Sequence, residues 1–159
     1  MFKDRISLNS LSHFFPFGCI LRVRDVLAVY LFPQSTKYDF VTAAISLQDD
    51  FLKQFNLTRE SNTCPFAPGD VQPNSPMCVF PTDYTAAGPF VTAQTALFIP
   101  VADYQSTVSW IAPRRGSLDV FVHPNSGCSL NDHLHDAFWS GTRWELDPSI
   151  FFDENFPWG

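Results

Sequence analysis

The sequence predicts an α+β domain of the ferredoxin-like type, βαββαβ, with an antiparallel sheet and two helices on one face. Three observations carry that expectation. Apolar runs with strand character and runs with helical spacing follow one another in the order strand, helix, strand, strand, helix, strand. The chain has no internal repeat, heptad or glycine-rich phosphate loop. Its 159 residues suit a single domain, 1–159, which buries roughly 70% of its unfolded surface at this size.

Residues 1–25 read as an N-terminal arm. Pro16 and Gly18 break regular structure in "HFFPFGCI". "VLAVYLF" (26–32) is β-branched and aromatic and ends at Pro33, which predicts a buried strand. In the next stretch Phe40, Ala44, Leu47, Phe51 and Phe55 recur at three or four residues. That spacing gives one apolar helix face, with Asp39 or Ser35 as cap. Four prolines and a glycine make 57–76 a loop or lid. "MCVF" (77–80) and "VTAQTALFI" (91–99) predict strands on either side of a turn. "PVADYQSTVSWIA" (100–112) begins with proline, a favoured first helical residue, and Tyr104, Val108 and Ile111 share a face. "SLDVFVH" (117–123) sets Leu118, Val120 and Val122 against Asp119 and Phe121, a strand ending at a His-Pro-Asn turn. Residues 124–159 read as an irregular, aromatic-rich tail.

Charge and cysteine content narrow the function classes. A net charge of −6, from 10 basic and 16 acidic side chains, argues against nucleic acid and anionic membranes as partners. No run reaches the ~18 apolar residues of a membrane span. "MFKDRISLNS" lacks a following apolar stretch, so no signal peptide is expected. Cys19, Cys64, Cys78 and Cys128 form no CxxC pair and are expected as free thiols of a reducing cytoplasm. Asn56-Leu57-Thr58 fits a glycosylation sequon, which in a cytoplasmic protein stays unmodified. The 17 phenylalanines point to more than one packed aromatic surface: a core together with an apolar ligand pocket or a dimer face.

The segment 118–141 holds three of the four histidines, His123, His133 and His135. Around them stand Trp110, Arg115, Gly116 and Leu118, then "VHPNSG" (122–127), Asp132-His133, Ala137, Trp139 and Gly141, and finally Leu146, Asp147 and "SIF" (149–151). This set resembles the DOPA 4,5-dioxygenase-like family, enzymes that cleave catechol rings extradiol-fashion. The resemblance implies a ferredoxin-like fold, usually dimeric, and an iron-binding site. The chain departs from the family at the expected ligands. Val26 and Ala28 stand at the histidine positions of the family's H-x-H-V-Y strand, and Phe90 at that of its G-P-H-P turn. His135 falls where the family more often has glutamate.

His123 and His133, with His135 or Asp132, leave a two-histidine, one-carboxylate iron site chemically conceivable. The ordinary alternative is structural: His123 anchoring a strand-end turn and Asp132 capping the next segment. A third reading is a reused site, in which an imidazole donates a hydrogen bond to an organic substrate. Replacement of histidine by Val, Ala and Phe favours reuse, because decay of a buried site more often leaves mismatched polar groups. The expectation is therefore a metal-independent, cofactor-free cyclase or isomerase, in its most concrete form a Diels-Alderase-like pericyclase. Its substrate would be an apolar or polyunsaturated natural-product intermediate of secondary metabolism. Holding such a chain in a near-attack shape alone supplies several kcal/mol.

The catalytic candidates are His123 and His133, with Asp132 holding the ring in its donating tautomer. The substrate-binding candidates are Val26, Ala28, Tyr30, Asp83, Phe90, Asn125 and Trp139, with 57–76 as a lid. A turn role is the ordinary reading of Asp83, and a helix-end surface pair that of Arg114 and Arg115. Cys128 near the histidines raises a Cys-His nucleophile, but no third group orients it. The alternatives are a metal-dependent extradiol dioxygenase and a non-catalytic small-molecule binder. A homodimer is expected.

Overall fold

The computed structural model describes residues 26–32, 38–66 and 75–152. The expected arm, 1–25, the middle of the 57–76 loop and the end of the tail lie outside them. Strand β1 (Val26–Phe32) leads to helix α1 (Tyr38–Gln54). A short helix α2 (Arg59–Asn62) precedes β2 (Cys78–Val79) and β3 (Thr95–Pro100). A 3-10 turn (Val101–Asp103) feeds α3 (Tyr104–Ile111), then β4 (Asp119–Pro124). Helix α4 (Ser129–Leu134), β5 (Phe138–Ser140) and a 3-10 turn (Pro148–Phe152) follow.

The sheet runs β2-β3-β1-β4-β5, antiparallel throughout. Its first four strands are the ferredoxin-like order that the sequence predicts. β1 is central, with Ala28 paired to Phe98 on one side and to His123 on the other.

Alternation along β3 and β4 sorts side chains onto two faces. Leu97, Ile99, Val120 and Val122 pack with Ala44, Leu47 and Phe51 of α1 and Ile111 of α3. Ala96, Phe98 and Phe121 join Phe80, Phe90, Cys64 and Cys78 in a second cluster, against which Trp139 and Leu146 pack. Buried phenylalanines among the described residues thus fall into two cores, one on each side of the sheet. Burial on both faces also explains the weak alternation of "TALFI", since neither side of β3 meets water.

Gln48 sits on the apolar face of α1, fully buried. Its Nε2 donates toward the Phe80 and Ala96 carbonyls, each at 3.1 Å, and the Thr95 hydroxyl at 2.6 Å. Its Oε1 accepts from Arg59 at 2.8 Å. A fully hydrogen-bonded amide is compatible with burial, and this one fixes the helix to the sheet.

Several expectations need correction. The tail is not irregular: α4 and β5 form within it, and β5 adds a fifth strand to the sheet. β3 starts at Thr95 rather than 91, because Gln94 is taken into a lone bridge with Asp83. The 57–76 segment is not all loop, since α2 forms within it, capped by the Thr58 hydroxyl.

Among the described residues the cysteines are not free thiols. Cys64 and Cys78 are disulfide-bonded, and so is Cys128. The bridge Thr63↔Val79 brings Cys64 beside β2, a proximity that spacing alone does not reveal. The Cys-His nucleophile falls with this finding, because a sulfur held in a disulfide has no thiolate to offer. No helix among the described residues is long and apolar enough to cross a membrane.

The Cys64–Cys78 bond spans a separation of 14 residues. A loop of that size, left open in the unfolded chain, gains about 3 kcal/mol of entropy. The double variant Cys64→Ala/Cys78→Ala should lose roughly that stability in urea unfolding. An unchanged midpoint and slope would show that the bond adds nothing.

Candidate functional site

The site lies on the sheet face away from α1 and α3. Alternation on β4 puts Asp119, Phe121 and His123 there, and all three are buried. The chain leaves β4 through the 124–128 turn, makes α4, and returns as β5 beside β4, with Phe121 paired to Trp139. This return stacks His133 of α4 on His123, ring centroids 4.0 Å apart. Phe121 lies under both rings, at 5.4 and 5.9 Å. Phe90 reaches Phe121 at 5.7 Å and His133 at 5.9 Å, and Phe151 covers His133 at 5.0 Å.

Each imidazole uses Nδ1 on a backbone carbonyl. His123 meets Pro124 O at 2.7 Å and His133 meets Ser129 O at 2.8 Å. A carbonyl only accepts, so Nδ1 carries the proton in both rings and Nε2 keeps the lone pair. Burial holds His123 well below the usual histidine range, and the neighbouring His133 lowers it further against a raising effect of the Pro124 carbonyl. Burial likewise brings His133 down to about 4, opposed by the Ser129 carbonyl. Both are neutral at pH 7. In the tautomer so fixed, Nε2 of each neutral ring is an acceptor, where the sequence reading has an imidazole that donates.

Asp132 does not set that tautomer. Its carboxylate accepts from Ser126 N at 2.9 Å and Ser126 Oγ at 2.6 Å, bracing the 124–128 turn. Burial raises its pKa, against the two Ser126 hydrogen bonds. Its role is the turn-anchoring one.

A cavity of about 390 Å³ opens beside the stack, lined by His133, Leu134, Trp139, Arg143, Trp144, Glu145 and Leu146. That volume lies within the range of small-molecule sites. Of the expected residues, His133 and Trp139 line it. Phe90 does not, because it is buried between rings and fills the space the sequence reading left open. His123 lies buried behind His133. Val26, Ala28 and Tyr30 lie on β1, with Ala28 opposite His123 and Tyr30 opposite Phe121 in register. Asp83 is held at the far turn, where its carboxylate accepts from Gln94 at 3.2 Å, so the turn role holds. Asn125 sits half-buried in the 124–128 turn, outside the cavity lining. The described parts of 57–76 supply no wall. Arg114 stacks on Trp110, and Arg115 donates to Leu118 O at 2.6 Å, both at the end of α3.

Three residues of the candidate site were not singled out as such in the sequence. Arg143 and Glu145 lie in a stretch without periodicity, and nothing in the sequence marks them. Asp119 was marked by its place in the β4 alternation. Its carboxylate accepts Thr142 N at 2.7 Å and Trp144 Nε1 at 2.9 Å, so it holds the cavity wall. Gly141 allows this approach, at φ 109° and with Asp119 Oδ1 where a Cβ would collide with it.

The iron implied by the fold family does not fit the residues present. Two stacked rings face each other, whereas an ion must lie in each ring's plane about 2 Å from its nitrogen. Asp132 is spent on Ser126, His135 is exposed at the end of α4, and Phe90 offers no lone pair. Among the described residues no group of three or more His, Cys, Asp or Glu is placed to hold a metal.

Sheet order and the face carrying the site define a ferredoxin-like scaffold, similar to that of a proposed dioxygenase from Nostoc punctiforme. The TM-score is 0.57 at 15% identity, over 79% of this chain and 89% of that one, a likeness of fold. The chain belongs to the Dopa 4,5-dioxygenase family, whose sequence signature matches residues 27–150. No curated protein matches it.

The lowered histidines make stability sensitive to acid. Above about pH 6.5 His133 is neutral whether folded or unfolded. As pH falls below that, the unfolded chain takes the proton first, and stability drops until the folded ring protonates near 4. For His133 alone the loss is at most roughly 3 kcal/mol. His123 adds to it with the same sign, and the raised Asp132 opposes it at the acid end. Urea unfolding across pH 7.5 to 4.5 should show this decline, and His133→Gln should flatten it. An equal slope in the variant would remove His133 as a cause.

Proposed function

We propose that this chain is a metal-independent cyclase or isomerase of a small, largely apolar molecule, built on the dioxygenase scaffold. The observation that supports it best is the cavity bordered by Trp139 and Trp144 beside an imidazole fixed as an acceptor. The two indoles offer flat apolar surface to an aromatic or polyunsaturated substrate. Arg143, on the same wall, supplies a permanent positive charge for a carbonyl or enolate oxygen. His133 Nε2 accepts a hydrogen bond from a substrate hydroxyl, or takes a proton from an acidic carbon as charge develops on that oxygen. Orientation between the indoles does the rest, as a pericyclic closure needs shape before it needs a base.

A non-catalytic binder on the same scaffold is favoured by one fact: a histidine with a pKa of about 4 is a weak base. The two readings separate by product. The purified protein is incubated with extracts of the encoding organism and followed by mass spectrometry. Conversion of a small molecule to an isomer of equal mass, insensitive to chelator, is expected. Arg143→Ala and His133→Gln should each lower it at least tenfold while the fold persists. Binding without conversion supports the binder. Loss of activity on chelation, with rescue by ferrous iron and uptake of oxygen, establishes the dioxygenase.

The homodimer belongs to this proposal too, supported by exposed Phe138 and Phe152 outside both cores. Light scattering should give twice the 18.0 kDa of one chain, and a monomer at micromolar concentration would refute it. The sequence reading places the chain in the cytoplasm for want of a signal peptide; the disulfide-bonded Cys64, Cys78 and Cys128 speak against that place.

A further inference from the structure

We infer that Asn56 is a site of N-linked glycosylation, and that the protein matures in an oxidising compartment. Two independent observations carry this, and neither depends on the reading of the cavity. The first is cysteine pairing. Cys64, Cys78 and Cys128 are all disulfide-bonded, and no cysteine among the described residues is free. Reducing compartments keep such thiols apart, whereas secretory ones join them.

The second is the local structure of Asn56-Leu57-Thr58, the one N-x-S/T triplet in the chain. Helix α1 ends in a Schellman motif: Leu57 N donates to Leu52 O at 2.8 Å and Asn56 N to Lys53 O at 3.3 Å. Asn56 is its left-handed residue, φ 55°, a place where glycine is usual and asparagine is tolerated. The motif turns Leu57 inward onto the core and leaves Asn56 and Thr58 exposed. The Asn56 carboxamide makes no hydrogen bond among the described residues. Thr58 Oγ1 accepts from Ser61 N at 3.3 Å, a cap bond that a sugar on Asn56 leaves intact. The backbone needs a residue that tolerates positive φ, and glycine would serve it. An asparagine there, two residues before an exposed threonine, also serves as an acceptor.

The modification joins Asn56 Nδ2 to the anomeric carbon of a lipid-pyrophosphate oligosaccharide. The C–O bond to pyrophosphate breaks, the lipid pyrophosphate leaves, and one amide proton is lost.

The test uses protein purified from the organism that encodes it, alkylated before any reduction. Trypsin releases the peptide from Gln54 to Arg59. Treatment with a peptide N-glycosidase in heavy-oxygen water should convert position 56 to labelled aspartate, with loss of one glycan from the intact mass. Cys64, Cys78 and Cys128 should resist alkylation. Recovery of the peptide as plain asparagine before enzyme treatment overturns the glycan, and alkylated thiols overturn the compartment. In the same host, Asn56→Gln and Thr58→Ala should abolish the mass loss, and Thr58→Ser should retain it. A mass loss that survives Asn56→Gln refutes the site.

Discussion

The buried carboxylate of Asp119 is the contact on which the cavity side of the molecule depends. It opens β4, is only 1% exposed, and reaches across to a segment more than twenty residues later. An unpaired charge in that place would cost several kcal/mol. Two N–H groups satisfy it, from Thr142 and Trp144, and Arg115 stands 4.0 Å away. Because both donors belong to the returning chain, satisfying the charge also seats Trp144 in the cavity wall. A methyl at Gly141 would strike the carboxylate, so the glycine and the aspartate function as a pair.

The second consequence concerns the sheet. The face away from α1 and α3 carries Phe98, Phe121 and His123, which are unfavourable in water unless covered. The returning chain from α4 onward does the covering, with Phe90 pairing to Leu146 in a lone bridge. Each aromatic contact in such a layer contributes about 0.5–1.5 kcal/mol beyond its buried area. Dryness then fixes the chemistry of the imidazoles. A histidine under phenylalanine and beside a second histidine keeps its proton off, and the one proton it holds goes to a backbone carbonyl.

Local pattern made most of the fold legible. α1, α3 and β4 form where the apolar spacing is close to 3.6 or two, and β1 forms from an unbroken β-branched and aromatic run that stops at Pro33. α4 and β5 escaped because their residues are not amphipathic. Phe138 is 42% exposed, and β5 exists through its pairing with β4 rather than through its own pattern. The disulfide escaped for a similar reason, as only the Thr63↔Val79 bridge brings its cysteines together. In the site, His133 and Trp139 were legible through the motif that carries the family resemblance. Phe90 was noticed but misplaced, because a sequence does not tell a ring that lines a cavity from one that fills it.

That distinction bears on where a ligand can sit in this fold. A phenylalanine offers no lone pair, and its ring takes up volume that a ligand would otherwise use. The Phe90 ring rests against Phe121 and His133, with centroids 5.7 and 5.9 Å apart, so it occupies the space beside the imidazoles. Space for a ligand therefore moves outward, to the surface between α4 and residues 139–146. There it is bounded by the same segment that closes the second core. Covering the sheet and shaping the site are one task for this stretch of chain. A substitution that loosens the cover, at Asp119 or Gly141, must then disturb the site as well, without touching any atom of a bound molecule.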